Sequence, residues 1–176
     1  ATNTGGINFI TNSDAESDIS GWTAYNDGAV SVPVNGIGGT SSITFVQEST
    51  AADVIRGFNS FRLAAVANEQ GEGVSTDFKI DNADIGDPLN VIVNYTTSGL
   101  DASNIAVYVY DVDNSVLIGR IDDTNDGEFE SVAKGRITGS FVATNADDYR
   151  LIFHVIGTDA AWTLRFDNVK VTPDAL

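Results

Sequence analysis

Two stretches of alternating sequence carry the side chains best suited to meet a ligand. In Asn104–Val112 the residues Ile105, Val107 and Val109 fall on one parity, and Tyr108 and Tyr110 on the other. In Tyr149–Ile156, Leu151, Phe153 and Val155 share a parity, and Arg150, Ile152 and His154 take the opposite one. Successive side chains of a strand point to opposite faces. If both stretches share a sheet, one face buries the aliphatics and the other presents Tyr108, Tyr110, Arg150 and His154, with Asn94 of Val91–Thr96 joining them on the same condition. Aromatic rings among a few hydrogen-bonding groups suit a sugar, whose C–H faces stack on the rings while its hydroxyls are bonded at the edges. Tyrosines paired across strands also stabilise a sheet without any ligand, so a structural role stands beside the binding one.

Other chemistries are poorly served. His154 is the only histidine and cysteine is absent, which removes thiol catalysis, disulfides, and Cys- or multi-His zinc sites. No Gly-x-Ser-x-Gly elbow marks a serine nucleophile, and no pair of carboxylates stands out by spacing for glycoside hydrolysis. The run Asp122-Asp123-Thr124-Asn125-Asp126-Gly127 opens like an EF-hand loop, but its twelfth position is Ala133, where that loop needs a glutamate. The expectation is a protein that is not an enzyme.

The elements that must position these residues read as strands. Gly, Asn, Asp, Ser and Thr punctuate short alternating apolar runs, and helical periodicity is absent over any useful length. Strands are expected at Ile7–Ile10, Ser42–Gln47, around Phe61–Ala65 and Val74–Ile80, at Val91–Thr96, as a hairpin over Ile105–Ile121, at Ile137–Val142 and Tyr149–Ile156, and at Ala161–Val171. Gly28–Thr40 reads as loop, Ser49–Arg56 as a short helical turn, and Asp81–Pro88 as a turn in which the proline ends pairing. Trp22 and Trp162 are expected in the core. In the closing strand Trp162, Leu164 and Phe166 alternate, then the phase slips across Asp167-Asn168 to Val169 and Val171. A slip of one residue predicts a bulge, because otherwise the apolar set would swing into solvent. No linker or repeat divides the chain, so one domain over 1–176 is expected: an all-β, two-sheet antiparallel sandwich with jelly-roll topology.

A formal charge of −16 repels nucleic acid and anionic membrane surfaces, and no apolar run approaches the ~20 residues that span a bilayer. Neither nucleic acid nor membrane insertion is expected. So many carboxylates suit oxygen-seeking cations such as Ca²⁺. The chain opens Ala1-Thr2-Asn3 without a methionine, as a processed product or a fragment of a longer polypeptide would.

Two segments together carry a resemblance. Asn8-Phe9-Ile10-Thr11-Asn12-Ser13-Asp14-Ala15-Glu16, followed by Gly21-Trp22, resembles the opening of jelly-roll carbohydrate-binding modules of the galactose-binding-domain-like kind, and Phe166-Asp167-Asn168-Val169 resembles their last strand. Ser13 stands where a glycine is usual and Ala15 where an aromatic is. The resemblance implies a structural calcium tying the termini together, with Glu16 and Asp167 as ligands and Asp14 as a third. Tyr149–Val155 together with Tyr108–Val112 also looks like modules of bacteriophage tail fibres and virion appendages. These likenesses imply a non-catalytic module binding polysaccharide or cell-surface glycan, in an extracellular protein or a virion. The alternative is a structural virion module, a decoration or fibre protein, that binds virion proteins or other domains of its own polypeptide.

Overall fold

The computed structural model describes residues 6–100 and 104–174; Ala1-Thr2-Asn3 lies outside them. Ten strands form two antiparallel five-stranded sheets: β1 (Trp22–Asn26), β2 (Thr44–Glu48), β3 (Ser60–Ala65), β4 (Glu72–Lys79), β5 (Pro88–Ser98), β6 (Ile105–Asp111), β7 (Val116–Arg120), β8 (Gly135–Val142), β9 (Asp148–Val155) and β10 (Trp162–Thr172). The first sheet runs β1-β4-β9-β6-β7 and the second β2-β3-β10-β5-β8. The all-β sandwich expected from the alternation is the fold observed. Its core lies between the sheets, where β-branched and aromatic residues of one parity interdigitate. Phe61 and Phe166 stack with centroids 4.8 Å apart, and Trp22 lies 5.2–5.4 Å from Phe61, Phe153 and Phe166. Both tryptophans are buried, as expected. Each such side chain contributes roughly 1.5–3 kcal/mol by leaving water.

Two expectations are corrected, and a third holds. Residues 7–10 form no strand; the segment is tied to β10 by single bonds, Phe9 N–H to Val171 O at 2.9 Å and Asn8 Nδ2 to Val169 O at 3.0 Å. Residues 49–56 make the short helical turn expected there, Asp53 N–H and Val54 N–H both donating to Thr50 O. Pro88 opens β5 rather than ending pairing, at the first position of a strand where a missing N–H costs least.

The phase slip is a bulge. The β10–β5 register shifts between Asp167 and Lys170, and Asn168 takes φ +48° there. The extra residue keeps Val169 and Val171 in the core and turns Asn168 and Lys170 outward.

Candidate functional site: a strapped sheet face

The outward face of the first sheet gathers Tyr108, Tyr110, Arg150 and His154. Pairing sets Ala106 opposite His154, Tyr108 opposite Ile152 and Tyr110 opposite Arg150, while β4 adds Asp77 beside Arg150. Asn94 is not among them. It stands on β5 in the second sheet, on that sheet's own outward face, because β5 pairs with β10 and β8 and never with β6 or β9. Sequence reasoning missed Tyr25, Asp77 and Arg120. Tyr25 was recoverable in part, since it lies three residues from the core residue Trp22 and so on the opposite face of an extended strand.

Most of this face is covered. Residues 27–43, between β1 and β2, run across the face as a strap, and beneath it Tyr108 is 3% exposed, Arg150 5%, and Tyr25 and His154 0%. Carbonyls of the strap are bonded by side chains of the sheet. Arg150 Nη1 donates to Asn35 O at 2.8 Å, Ser75 Oγ to Gly36 O at 2.7 Å, and the His154 Nε2 to Val30 O distance is 3.0 Å. Asp27 Oδ2 folds the strap by accepting the N–H groups of Val34, Asn35 and Gly36 at 2.8–3.3 Å. Gly36 sits at φ +71°, and a Cβ there would fall 2.6 Å from Ile152 Cδ1, so only glycine permits the close approach. At the far end the buried Glu72 carboxylate accepts from Ser41 Oγ, Ser42 N–H, Ser42 Oγ, Ile43 N–H and Asn26 Nδ2 at 2.8–3.1 Å.

His154 is neutral in this setting. Val30 O only accepts, so Nε2 carries the proton and Nδ1 accepts from Tyr25 O–H at 2.5 Å. Burial pushes its pKa below the ordinary 6.5, against the Val30 contact and Asp27. The native state therefore binds fewer protons than the unfolded one once pH falls below about 6.5, and stability drops from there towards the lower folded pKa at up to about 1.4 kcal/mol per pH unit. Glu48, held down to about 2 chiefly by the Thr50 N–H, is lost only below 4.5. Chemical denaturation between pH 6.5 and 4.5 is expected to show this decline in the native chain and a flatter profile in His154→Gln.

At the edge of the strap a polar shelf remains accessible. The ring of Tyr110 is part-exposed, with the Arg150 guanidinium 5.5 Å from its centroid. Arg150 Nε meets Asp77 Oδ1 at 2.7 Å, and the Asp77 side chain is 62% exposed. Arg120, from β7, bonds Tyr108 O–H at 3.1 Å and pairs with Asp126 and Glu128. The shelf thus offers one ring face and several fixed donors and acceptors.

The segments that carry Asp14, Glu16 and Asp167 lie side by side at one corner. Val169 N–H donates to Ser13 O at 2.9 Å, which sets the 13–16 segment beside the bulge. Glu16 accepts from Phe58 and Asn59 N–H, and buried Asp167 accepts from Ser60 Oγ at 2.8 Å and from Arg56 and Asn168 N–H. Burial pushes the Asp167 carboxyl up, opposed by those donors and reinforced by Asp14. Three carboxylates from two ends of the chain are chemically suited to a hard cation, although N–H groups already occupy several of their oxygens. Among the described residues, one group of three carboxylates places ligand atoms within 4.8 Å of one another: Asp113, Asp147 and Asp148, an arrangement that could hold a metal. Lys79 Nζ lies 2.9 Å from Asp147 and 3.6 Å from Asp148 in that group. In the EF-hand-like run, Asp123 Oδ1 instead closes a turn on Asn125 and Gly127 N–H.

The whole sandwich superposes on solved modules. The CBM22-1 xylan-binding domain of Paenibacillus barcinonensis Xyn10C matches at TM-score 0.62 and 13% identity, covering 97% of each chain. The chain has the fold of a jelly-roll carbohydrate-binding module. TmCBM61, solved with β-1,4-galactotriose, matches at TM-score 0.61 and 13% identity over 96% of this chain and all of its own. The enzymatically active domain of bacteriophage CBA120 tailspike protein 4 matches at 0.62 and 13% over 94% of this chain but 21% of that one. No family model and no curated protein matches the sequence. Identities this low speak for the fold, and no helix among the described residues is long and apolar enough to cross a membrane.

Proposed function

We propose that this chain is a single-domain, non-catalytic carbohydrate-binding module of an extracellular or virion protein, which engages glycan at the Tyr110 shelf. The observation that carries this is the part-exposed Tyr110 ring backed by Arg150 and flanked by Asp77. A ring on a rigid strand stacks on a sugar's C–H face at little entropic cost, and the exposed Asp77 carboxylate orients hydroxyls while buried Arg150 fixes it in place. Tyr108 and His154 serve as the floor beneath the strap, and Asn94 lies on the opposite sheet. Affinity-gel electrophoresis against neutral polysaccharides tests the reading. Tyr110→Ala should lower retention at least roughly tenfold, the loss of about 1.4 kcal/mol of stacking, with no change in melting temperature. Equal retention of the variant and the native chain would overturn it.

A second reading is a structural module in a virion appendage that contacts other subunits; a phage tailspike domain shares the fold. Silence across a broad glycan set, together with self-association, would select it.

We also propose a structural calcium at the terminal corner, held by Glu16 and Asp167 with Asp14. It would stabilise the charge of the Asp167 carboxylate, which burial and the neighbouring Asp14 disfavour. Chelation should then lower the melting temperature, and added calcium should restore it. An unchanged melting curve, with Glu16→Ala no worse than an ordinary surface substitution, would sink the idea.

A further inference from the structure

The nine cationic side chains of this acidic chain are not spread evenly. Arg62, Lys79, Arg120, Arg150 and Arg165 each lie within 4.0 Å of a carboxylate. The remaining four, Arg56, Lys134, Arg136 and Lys170, have no ion-pair partner among the described residues, despite 25 acidic residues in the sequence. All four line one place. A depression of about 370 Å³ on the outward face of the second sheet is bounded by Arg56, Ile92, Asn94, Arg136, Asn168 and Lys170. A second of about 290 Å³, sharing Arg56 and Asn94, continues it past Lys134.

The strands explain the convergence. Pairing sets Asn94 between Asp167 and Arg136, and Ile92 between Lys170 and Thr138. The bulge turns Lys170 to this side. The nearest carboxylate in the row, Asp167, is fully buried and already accepts from Ser60, Arg56 N–H and Asn168 N–H. It therefore offers the trough little neutralising charge.

Four cations gathered without a paired carboxylate make a locally positive trough on a chain of −16. The arrangement suits a ligand that brings its own negative charges at intervals. Two guanidinium forks match carboxylates in bidentate geometry, two asparagine amides serve hydroxyls, and Ile92 gives an apolar patch. We infer that this trough binds carboxylate-bearing polysaccharide, a chain of uronic acid residues, at a site separate from the Tyr110 shelf. The inference rests on the carbohydrate-binding reading above and names a second ligand class for the same module.

The test is affinity electrophoresis of the full chain through polygalacturonate and, in parallel, through a sulfated glycan and neutral xylan. Each is run at about 0.02 M and about 0.5 M salt, which shortens electrostatic reach from ~20 Å to ~4 Å. Retention on polygalacturonate is expected at low salt. It should fall roughly tenfold at high salt and by a similar factor in Arg136→Gln/Lys170→Gln, both exposed or part-exposed positions. Tyr110→Ala should leave it unchanged. The salt titration of the native chain decides the point even if the double variant fails to fold. No retention on polygalacturonate at low salt overturns the inference, as does retention indifferent to both salt and the double substitution. Stronger retention on the sulfated glycan than on polygalacturonate overturns the uronate assignment. Self-association at low salt that the double variant abolishes would give the trough to a second copy of the chain. Neutral-xylan binding lost in Tyr110→Ala, with none to polygalacturonate, would leave the shelf reading standing and the trough reading refuted.

Discussion

Glu72→Ala is expected to destabilise the protein by about 3 kcal/mol, a fall in melting temperature of roughly 6–12 °C for a chain of this size. The carboxylate is buried, and no cation among the described residues pairs with it; five hydrogen bonds from Asn26, Ser41, Ser42 and Ile43 converge on its two oxygens. Removing it leaves those donors facing a void that alanine cannot fill, and an unsatisfied buried donor costs more than the bond it once made was worth. Glu72→Gln should recover only part of the loss, since its amide nitrogen turns a donor towards donors. A thermal melt with both variants checks this. If alanine costs less than about 1 kcal/mol, the network is not what fixes the end of the strap.

Gly36→Val is expected to lift the strap from the sheet. The position needs φ +71°, which costs a β-branched residue about 1–2 kcal/mol, and the new side chain would overlap Ile152. The cheapest relief is local: the strap detaches around residues 34–37, and Arg150 and Ser75 lose their carbonyl partners. Two readouts should move together. Global stability should fall by about 2–3 kcal/mol. The His154 pKa, followed by NMR, should rise towards its ordinary 6.5 as water reaches the ring. Lower stability with an unchanged His154 would mean that the strap deforms without opening.

How much of this could be read from the chain depended on the range of the interaction. Tyr108, Tyr110, Arg150 and His154 were placed on one face because strict alternation in β6 and β9 is a local property. Asn94 was misplaced because its parity is equally clear but its sheet is decided by which strands pair across dozens of residues. The strap was legible as loop and illegible as cover. Its Gly- and Pro-bearing sequence has no period, and its docking uses backbone carbonyls that every residue carries. The bulge at Asp167 was visible since a period-2 pattern cannot hide a one-residue slip. The pairing of Glu16 and Asp14 with Asp167 came from resemblance at the two ends; the Ser13–Val169 bond places the two segments side by side, and the metal itself stays a proposal.

Through its middle the strap is gripped by its backbone carbonyls, which leaves several of its side chains free. Arg150, Ser75 and His154 grip Asn35, Gly36 and Val30 by their carbonyls, while Val32, Val34 and Ile37 point into solvent. Attachment and display are thus written in different atoms. Substitutions at Val32, Val34 and Ile37 can therefore alter what the module shows to its surroundings without loosening the strap. The segment behaves as an interchangeable facing on a fixed frame, the natural place to graft a new specificity onto this sandwich.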